Sequence, residues 1–278
     1  MEAPKTIGNF RNNKIIVPSI KYKQWLPPTM VFIFFMLFWQ FGIQLLQIPA
    51  YLIPKPTDIY QSVLENQEQF FTAVQRTVAE SVIGFILSVI GGVLGAIIMA
   101  NSKWLERSLY PYAIILQTIP VVAIAPIIVI WFGSGMNAIV IIAFIIGFFP
   151  MLSNTLIGLR SVDRNMENLF VLYNAMKWQT MWKLRLPAAL PYMMAGLKIS
   201  CTLAVIGAIV GEYIAGIGGG DGGLGYSITV ASSRLQTSYL FACGLAASLL
   251  GIFFYLLISL ISKAVLGSWH ESEMKMEK

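Results

Sequence analysis

The residues of this chain best suited to recognition lie in one short stretch, "MKWQTMWKLRLPAALP", residues 176–191. There Lys177, Lys183 and Arg185 interleave with Trp178, Met181 and Trp182. From Arg164 onward the spacing is helical: Phe170, Asn174, Trp178 and Met181 recur at three- and four-residue steps, and Trp182 extends the row. Side chains of this kind do contact chemistry. Either the tryptophans rest in lipid headgroups with the lysines on anionic lipid, or the row fills a groove on a cytoplasmic partner. Bond-making chemistry has no comparable candidates. The single histidine, His270, stands in a polar tail, the carboxylates are scattered, and no G-x-x-x-x-G-K-[ST] string is present to hold a nucleotide. Cys201 and Cys243 sit in apolar runs without a CxxC or nearby histidines and read as small buried apolar residues. The expectation is a chain that is not an enzyme and binds no metal or cofactor itself.

That polar stretch interrupts a sequence of 278 residues that is 57% hydrophobic and only 12% charged, with a mean hydropathy of +0.72. Such a composition excludes a soluble globular domain and predicts an all-α polytopic membrane protein. A spanning helix needs ~20 mainly apolar residues to cross ~30 Å of hydrocarbon. Six runs qualify, at about 29–47, 78–99, 110–132, 138–159, 188–214 and 240–264. Lys198 and Glu212, near the ends of the fifth, are expected to reach the interface by snorkelling. The polar segment 1–27 is too long, and lacks the small-residue exit, for a cleaved signal peptide, so it reads as a retained segment; 265–278 reads as a polar tail.

The formal charge of +6 is a topology signal, not a nucleic-acid footprint. Lys5, Arg11, Lys14, Lys21 and Lys23 precede the first run, Lys103 and Arg107 follow the second, and Arg160, Arg164, Lys177, Lys183 and Arg185 follow the fourth. The opposite side holds only Lys55, Arg76 and Arg234. The positive-inside rule places both termini and the loops 100–109 and 159–187 in the cytoplasm.

On the outer side, Pro54, Pro56 and Thr57 predict a turn and a cap for a short amphipathic helix through Ile59, Tyr60, Val63 and Leu64. The stretch "GIGGGDGGLG", 216–225, reads as a flexible loop. Its G-x-G-x-x-G string at Gly218, Gly220 and Gly223 follows no strand and gives no dinucleotide site. Gly91/Gly95 and Gly207/Gly211 have the spacing that lets helices approach, within the bundle or against a second subunit. Prolines and polar groups inside spans point to a pathway: Gln117, Thr118, Pro120 and Pro126 in the third, Pro150, Ser153, Asn154 and Thr155 in the fourth. Helix packing accounts for them equally well. Glu212, at the outer end of the fifth span, has the same two readings, a gate or a plain interfacial carboxylate.

The stretch "ENLFVLYNAMKWQTMWKLRLPAALPYMMAGLKIS" resembles the cytoplasmic coupling loop of ABC importer permeases, whose pattern runs Glu-Ala-Ala, three residues, Gly, nine residues, Ile-x-Leu-Pro. Asn174 stands at the glycine position, with Ala175 next, and Leu186-Pro187 match the closing pair. The opening triplet is Asn168-Leu169-Phe170, with Glu167 one place early. Asn is among the residues that best tolerate a positive φ, so a turn survives this substitution. "IPKPTDIYQSV", "IPVVAIAPIIVIWFGSG", "FFPMLSNTLIGLRSVDRN" and "GGLGYSI" extend the resemblance over about 53–263, to the nitrate, sulfonate, taurine and bicarbonate branch.

The resemblance implies the type I importer permease architecture, with about six spans and a coupling helix in the loop 160–187. It implies a bacterial inner-membrane subunit that pairs with a second permease copy and docks two ABC ATPases, which use ATP and Mg. Substrate, a small anion or heterocycle, would come from an extracytoplasmic binding protein. Glu167, Asn174, Ala175, Trp178, Met181, Trp182, Leu186 and Pro187 would then form the coupling surface. Two other classes stay open. A secondary transporter would carry ion-coupling carboxylates within its spans, where Glu80 and Glu212 lie too near the ends; a membrane scaffold has no need of polar groups and prolines in spans three and four.

Overall fold

A computed structural model describes residues 22–217 and 222–267. The basic residues up to Lys21, the glycines Gly218 and Gly220, and His270 lie outside the described residues. Every regular element described is helical. In chain order these are α1 (Tyr22–Leu45), α2 (Pro56–Glu65), α3 (Gln67–Asn101), α4 (Lys103–Thr118), α5 (Val121–Phe132) and α6 (Met136–Arg160). Then come α7 (Arg164–Leu172), α8 (Lys177–Thr180), a π-helical turn (Met181–Arg185), α9 (Leu186–Ile217), α10 (Leu224–Ser233) and α11 (Thr237–Leu266). Helix α1 belongs to a separate unit and is apolar on every side, with Phe34 and Phe38 stacked along it.

Among the described residues, five helices are long and apolar enough to cross a bilayer, and they take up five of the six apolar runs. The remaining run, 110–132, the third in order, departs from the expectation of one straight span. It is two helices, α4 and α5, bent by 98° at a short break. Pro120 is the reason: it has no N–H for the helical ladder, and its ring pushes Ile119 into an extended conformation (φ −71°, ψ 123°). The long helices also outrun the bilayer. At 1.5 Å per residue, the 35 residues of α3 reach roughly 50 Å, so its first turns stand outside the hydrocarbon.

Three helices, α3, α6 and α9, form the centre of the larger unit. Lipid is as apolar as leucine, so helices gain little by hiding hydrophobic surface from it and associate where small residues let backbones approach. On α3 that surface is the buried stripe Gly84, Ser88, Gly92, Ala96, at helical steps of four. A methyl at Gly84 would strike Ala143, and one at Gly92 would press on Met151 at 2.8 Å. The expected pairs Gly91/Gly95 and Gly207/Gly211 also pack inside the bundle, against Phe144, Phe148 and Leu152 and against Ala143 and Ile142. Gly147 on α6 is the meeting point. Ser200 of α9 donates to its carbonyl, Ser88 of α3 donates to the carbonyl of Phe144, and a methyl at Gly147 would lie 2.7 Å from the Ser88 hydroxyl and 3.0 Å from that of Ser200.

The packing predicts opposite outcomes for one substitution at two sites. Gly147→Ala overfills a three-helix contact and should destabilise by ~1–3 kcal/mol. Gly251→Ala on α11 enters open space and should be neutral or slightly stabilising, because alanine is the better helix former by ~1 kcal/mol. Melting of the detergent-purified protein followed by size-exclusion checks this, and equal melting temperatures for the two variants would contradict the packing argument.

Candidate functional site

The polar loop after α6 is built as a stiff two-helix turn. Asp163 caps α7, accepting from the N–H of Asn165 at 2.6 Å. Seven residues beyond, the helix stops in a Schellman arrangement: Ala175 N–H donates to Phe170 O and Asn174 N–H to Val171 O, each at 2.9 Å. Asn174 supplies the left-handed residue, with φ +51°. The turn expected at this asparagine is present. The single helical face expected to run through it is not, since the break separates Phe170 from Trp178 and Met181.

Chain direction is reset at Met176, whose N–H donates to the side chain of Gln179 at 2.9 Å, half of a capping box. Helix α8, the π turn and α9 then follow without interruption, and Pro187, which has no N–H to give to the ladder, comes directly after the π turn, where the bonding pattern shifts. The π turn inserts one residue into the ladder and thereby rotates what precedes it. Met181 is sent inward: it is 3% exposed, among Met99, Ala113, Leu152 and Leu159. Leu186 packs against the same cluster. Both were expected on the coupling surface; Met181 is buried in the bundle core and Leu186 is partly buried against it, so Met181 anchors the turn. Glu167 is also a strut. Its Oε1 accepts from Arg185 Nε at 3.0 Å and lies 2.9 Å from Nη2, tying α7 to the π turn.

What remains outside is apolar. Trp178 is 68% exposed and stacks obliquely on Trp182, with ring centroids 5.0 Å apart. Val171, Leu172, Tyr173 and Met176 surround the turn, each more than two-thirds exposed. Sequence periodicity missed these four because they follow the broken helix and not a continuous one; the asparagine was the signal that could have found them.

A second constellation gathers at the other end of α9. Glu212 is 1% exposed, so the expected interfacial carboxylate is instead fully buried. Thr77 Oγ1 donates to its Oε1 at 2.6 Å, and the N–H of Gly225 donates to its Oε2 at 2.7 Å. Thr77 Oγ1 in turn accepts from Leu224 N–H at 2.9 Å. Glu80, also buried, lies within hydrogen-bond reach of the same carboxylate. The first turn of α10 thus closes on Glu212 with its positive end, and charge-assisted bonds of this kind compensate a buried carboxylate. A Cβ at Gly223 or Gly225 would collide with Glu212, so these two glycines serve contact and not flexibility.

The other pathway candidates do not converge with Glu212. Gln117, Thr118 and Pro120 are exposed at the α4–α5 elbow, where Thr118 donates to Ile115 O at 2.8 Å. Ser153 and Asn154 lie half-buried in α6: Ser153 pairs with Tyr110 OH at 3.2 Å, and Asn154 donates to Pro150 O at 2.8 Å.

Residues 88–267 match the family described as the binding-protein-dependent transport system inner membrane component. The chain belongs to this family. It is 36% identical over 255 residues to the formylaminopyrimidine transport permease protein ThiX of Halalkalibacterium halodurans, covering 90% of this chain and 98% of the relative. It is 31% identical over 264 residues to the riboflavin transport system permease protein RibX of Chloroflexus aurantiacus, covering 92% and 95%. The fold matches a chain of the inward-facing MetNI methionine ABC transporter with a TM-score of 0.61 at 17% identity, over 72% of this chain and 98% of that one. The protein is therefore an ABC importer permease of the sulfonate and nitrate branch, a multi-pass inner-membrane component and not an enzyme; ATP is used by a separate ATPase subunit.

For this permease the outer latch makes a direct prediction. Glu212→Ala leaves the N–H of Gly225 unpaired in the interior, while Thr77 keeps its bonds to Ala73 O and Leu224 N–H, and should destabilise by ~1–3 kcal/mol; Glu212→Gln keeps an acceptor and should lose less. Thermal melting in detergent orders the variants, and an alanine variant as stable as the parent would remove the latch from the account.

Proposed function

We propose that this permease forms the translocation path of an importer for a small nitrogen heterocycle, as one of two identical copies coupled to two ABC ATPases. The observation that carries the coupling is the rigid turn 164–185, with an exposed apolar tip and a buried base continuous with α9. Trp178, Trp182 and Met176, with Leu172, Tyr173 and the exposed Pro187, contact the ATPase, while Asn174 and Ala175 shape the turn and Glu167, Met181 and Leu186 hold it to the bundle. An isolated patch of this kind on an otherwise charged loop fits a protein groove better than headgroups, because its apolar residues cluster around a stiff turn and are not spread along one continuous helical face. The heterocycle class is supported by the ThiX and RibX names, formylaminopyrimidine and riboflavin, over a nitrate- or sulfonate-like anion. An extracytoplasmic binding protein delivers it. Segment 1–27, the loop 160–187 and the tail 265–278 are cytoplasmic around a permease domain of 28–264. The elbow residues Gln117, Thr118 and Pro120, with Ser153 and Asn154, line the path; Glu212 latches its outer end.

Truncating Trp178 to Ala should remove ~2 kcal/mol or more of an interface centre and weaken ATPase association roughly thirtyfold. Trp178→Asp should abolish co-purification of the ATPase and transport while leaving membrane insertion intact, and Asn174→Gly should be tolerated. Recovery of the ATPase by the Trp178→Asp chain at parental yield would reject this turn as the coupling site.

Orientation is tested separately, in a background without Cys201 and Cys243. A membrane-impermeant thiol reagent should label Ser233→Cys in intact cells and Gln179→Cys only after lysis. Labelling of Gln179→Cys from outside would reverse the topology.

A further inference from the structure

At the base of the coupling turn, a pocket of about 450 Å³ opens between the end of α3, the start of α4, the end of α6, α7 and the π turn. Its lining is dominated by cations: Lys103, Arg107, Arg160, Arg164 and Arg185, against the two carboxylates Glu106 and Glu167. Both carboxylates are committed, Glu106 to Arg160 and Glu167 to Arg185. Asp163, beside Arg164, spends its carboxylate on the N–H of Asn165. Lys103, Arg107 and Arg164 have no ion-pair partner among the described residues. Lys103 and Arg164 are also the first residues of α4 and α7, so the positive ends of two helices add to the field.

Three unpaired cations converging on one cavity are mutually repulsive until an anion enters. The surroundings indicate which anion. Trp104, next to Lys103, is 73% exposed, and exposed tryptophan marks headgroup depth. From that point α4 continues with Tyr112, Ile115 and Leu116 exposed, an apolar track on which acyl chains can lie. A free phosphate would use the cations and leave most of the cavity and the whole track unused. We infer that this pocket binds the phosphate of an anionic phospholipid whose chains run along α4. The bound headgroup joins α4, α6 and α7 at the wall formed by the Glu167–Arg185 pair, which makes the footing of the coupling turn dependent on lipid charge.

The test is native mass spectrometry of the full-length chain in mild detergent, titrated with phosphatidylglycerol, with phosphatidylcholine as the zwitterionic control. Phosphatidylglycerol should be retained in preference to phosphatidylcholine. The triple variant Lys103→Gln, Arg107→Gln, Arg164→Gln should lower its affinity by about a hundredfold, at the usual strength of one cation beside an anionic headgroup. The double variant Lys177→Gln, Lys183→Gln, which removes charge outside the pocket, should retain the lipid as the parent does. Equal retention of the two lipids by the parent, or an equal loss in both variants, would overturn the site. Displacement of the lipid by millimolar inorganic phosphate would assign the pocket to a soluble anion and overturn the lipid assignment. Loss of ATPase co-purification in the triple variant with lipid retention unchanged would make it a docking patch and overturn it likewise. No ATPase enters the retention measurement, so its result stands or falls separately from the coupling experiment on Trp178.

Discussion

The close approach of α3, α6 and α9 at Gly147 is the constraint on which the rest of the permease is hung. In lipid the usual driving force for packing is missing, and what replaces it is contact between backbones plus hydrogen bonds that have no water to compete with. Gly84, Ser88 and Gly92 give α3 a groove, Ala143 and Gly147 give α6 a ridge, and Ser88 and Ser200 fasten both neighbours to carbonyls of α6. A contact of this type has little play, because each backbone sits where a methyl group would not fit. The three helices are therefore interlocked at this level.

That rigidity gives α9 its significance. Helical structure runs from Lys177 to Ile217 through the π turn, so the exposed Trp178 and the buried Glu212 stand on one rod. From Arg185 to Glu212 the rod measures roughly 40 Å. At one end Met181 and the Glu167–Arg185 pair lock it to α7 and to the α4–α6 floor; at the other Glu212 holds the first turn of α10. Between its ends the rod departs from a regular ladder at the π turn and at Pro187 and Pro191, yet helical structure continues through them. The place with a break is elsewhere, at the α4–α5 elbow, where Pro120 interrupts the ladder and leaves α5 free of α4.

Much of this was legible in the residues. Five of the six apolar runs are single spans, and Asn174 is the left-handed residue that its position in the coupling pattern implied. Pro120 was visible too, but its meaning as a full break depends on Ile119 turning extended, which hydropathy does not register. Periodicity failed where the chain changes direction: it grouped Met181 with Trp178, whereas the Schellman turn and the π turn send one to the core and the other to the surface. Glu212 could not be read correctly from its own neighbourhood, because one of the two donors that offset its burial, Thr77, lies 135 residues away in the chain. The glycines at 223 and 225 look like loop filler for the same reason, since only the carboxylate beneath them explains why no side chain can stand there.

The bonding of Glu212 also bears on how energy enters the permease. A carboxylate that couples transport to an ion gradient must release one ligand and take another in each cycle, which requires a lone pair that the ion can reach. Both oxygens of Glu212 are held by groups of the protein, one by the Thr77 hydroxyl and one by the N–H of Gly225, and the side chain is sealed from solvent. An ion could displace either donor only by lifting α10 from α9. Glu80 is likewise buried, at 4% exposure, and is shut off from water. Glu212 is bonded so as to hold the first turn of α10 against α9, and the exposed apolar turn lies at the opposite end of the same rod.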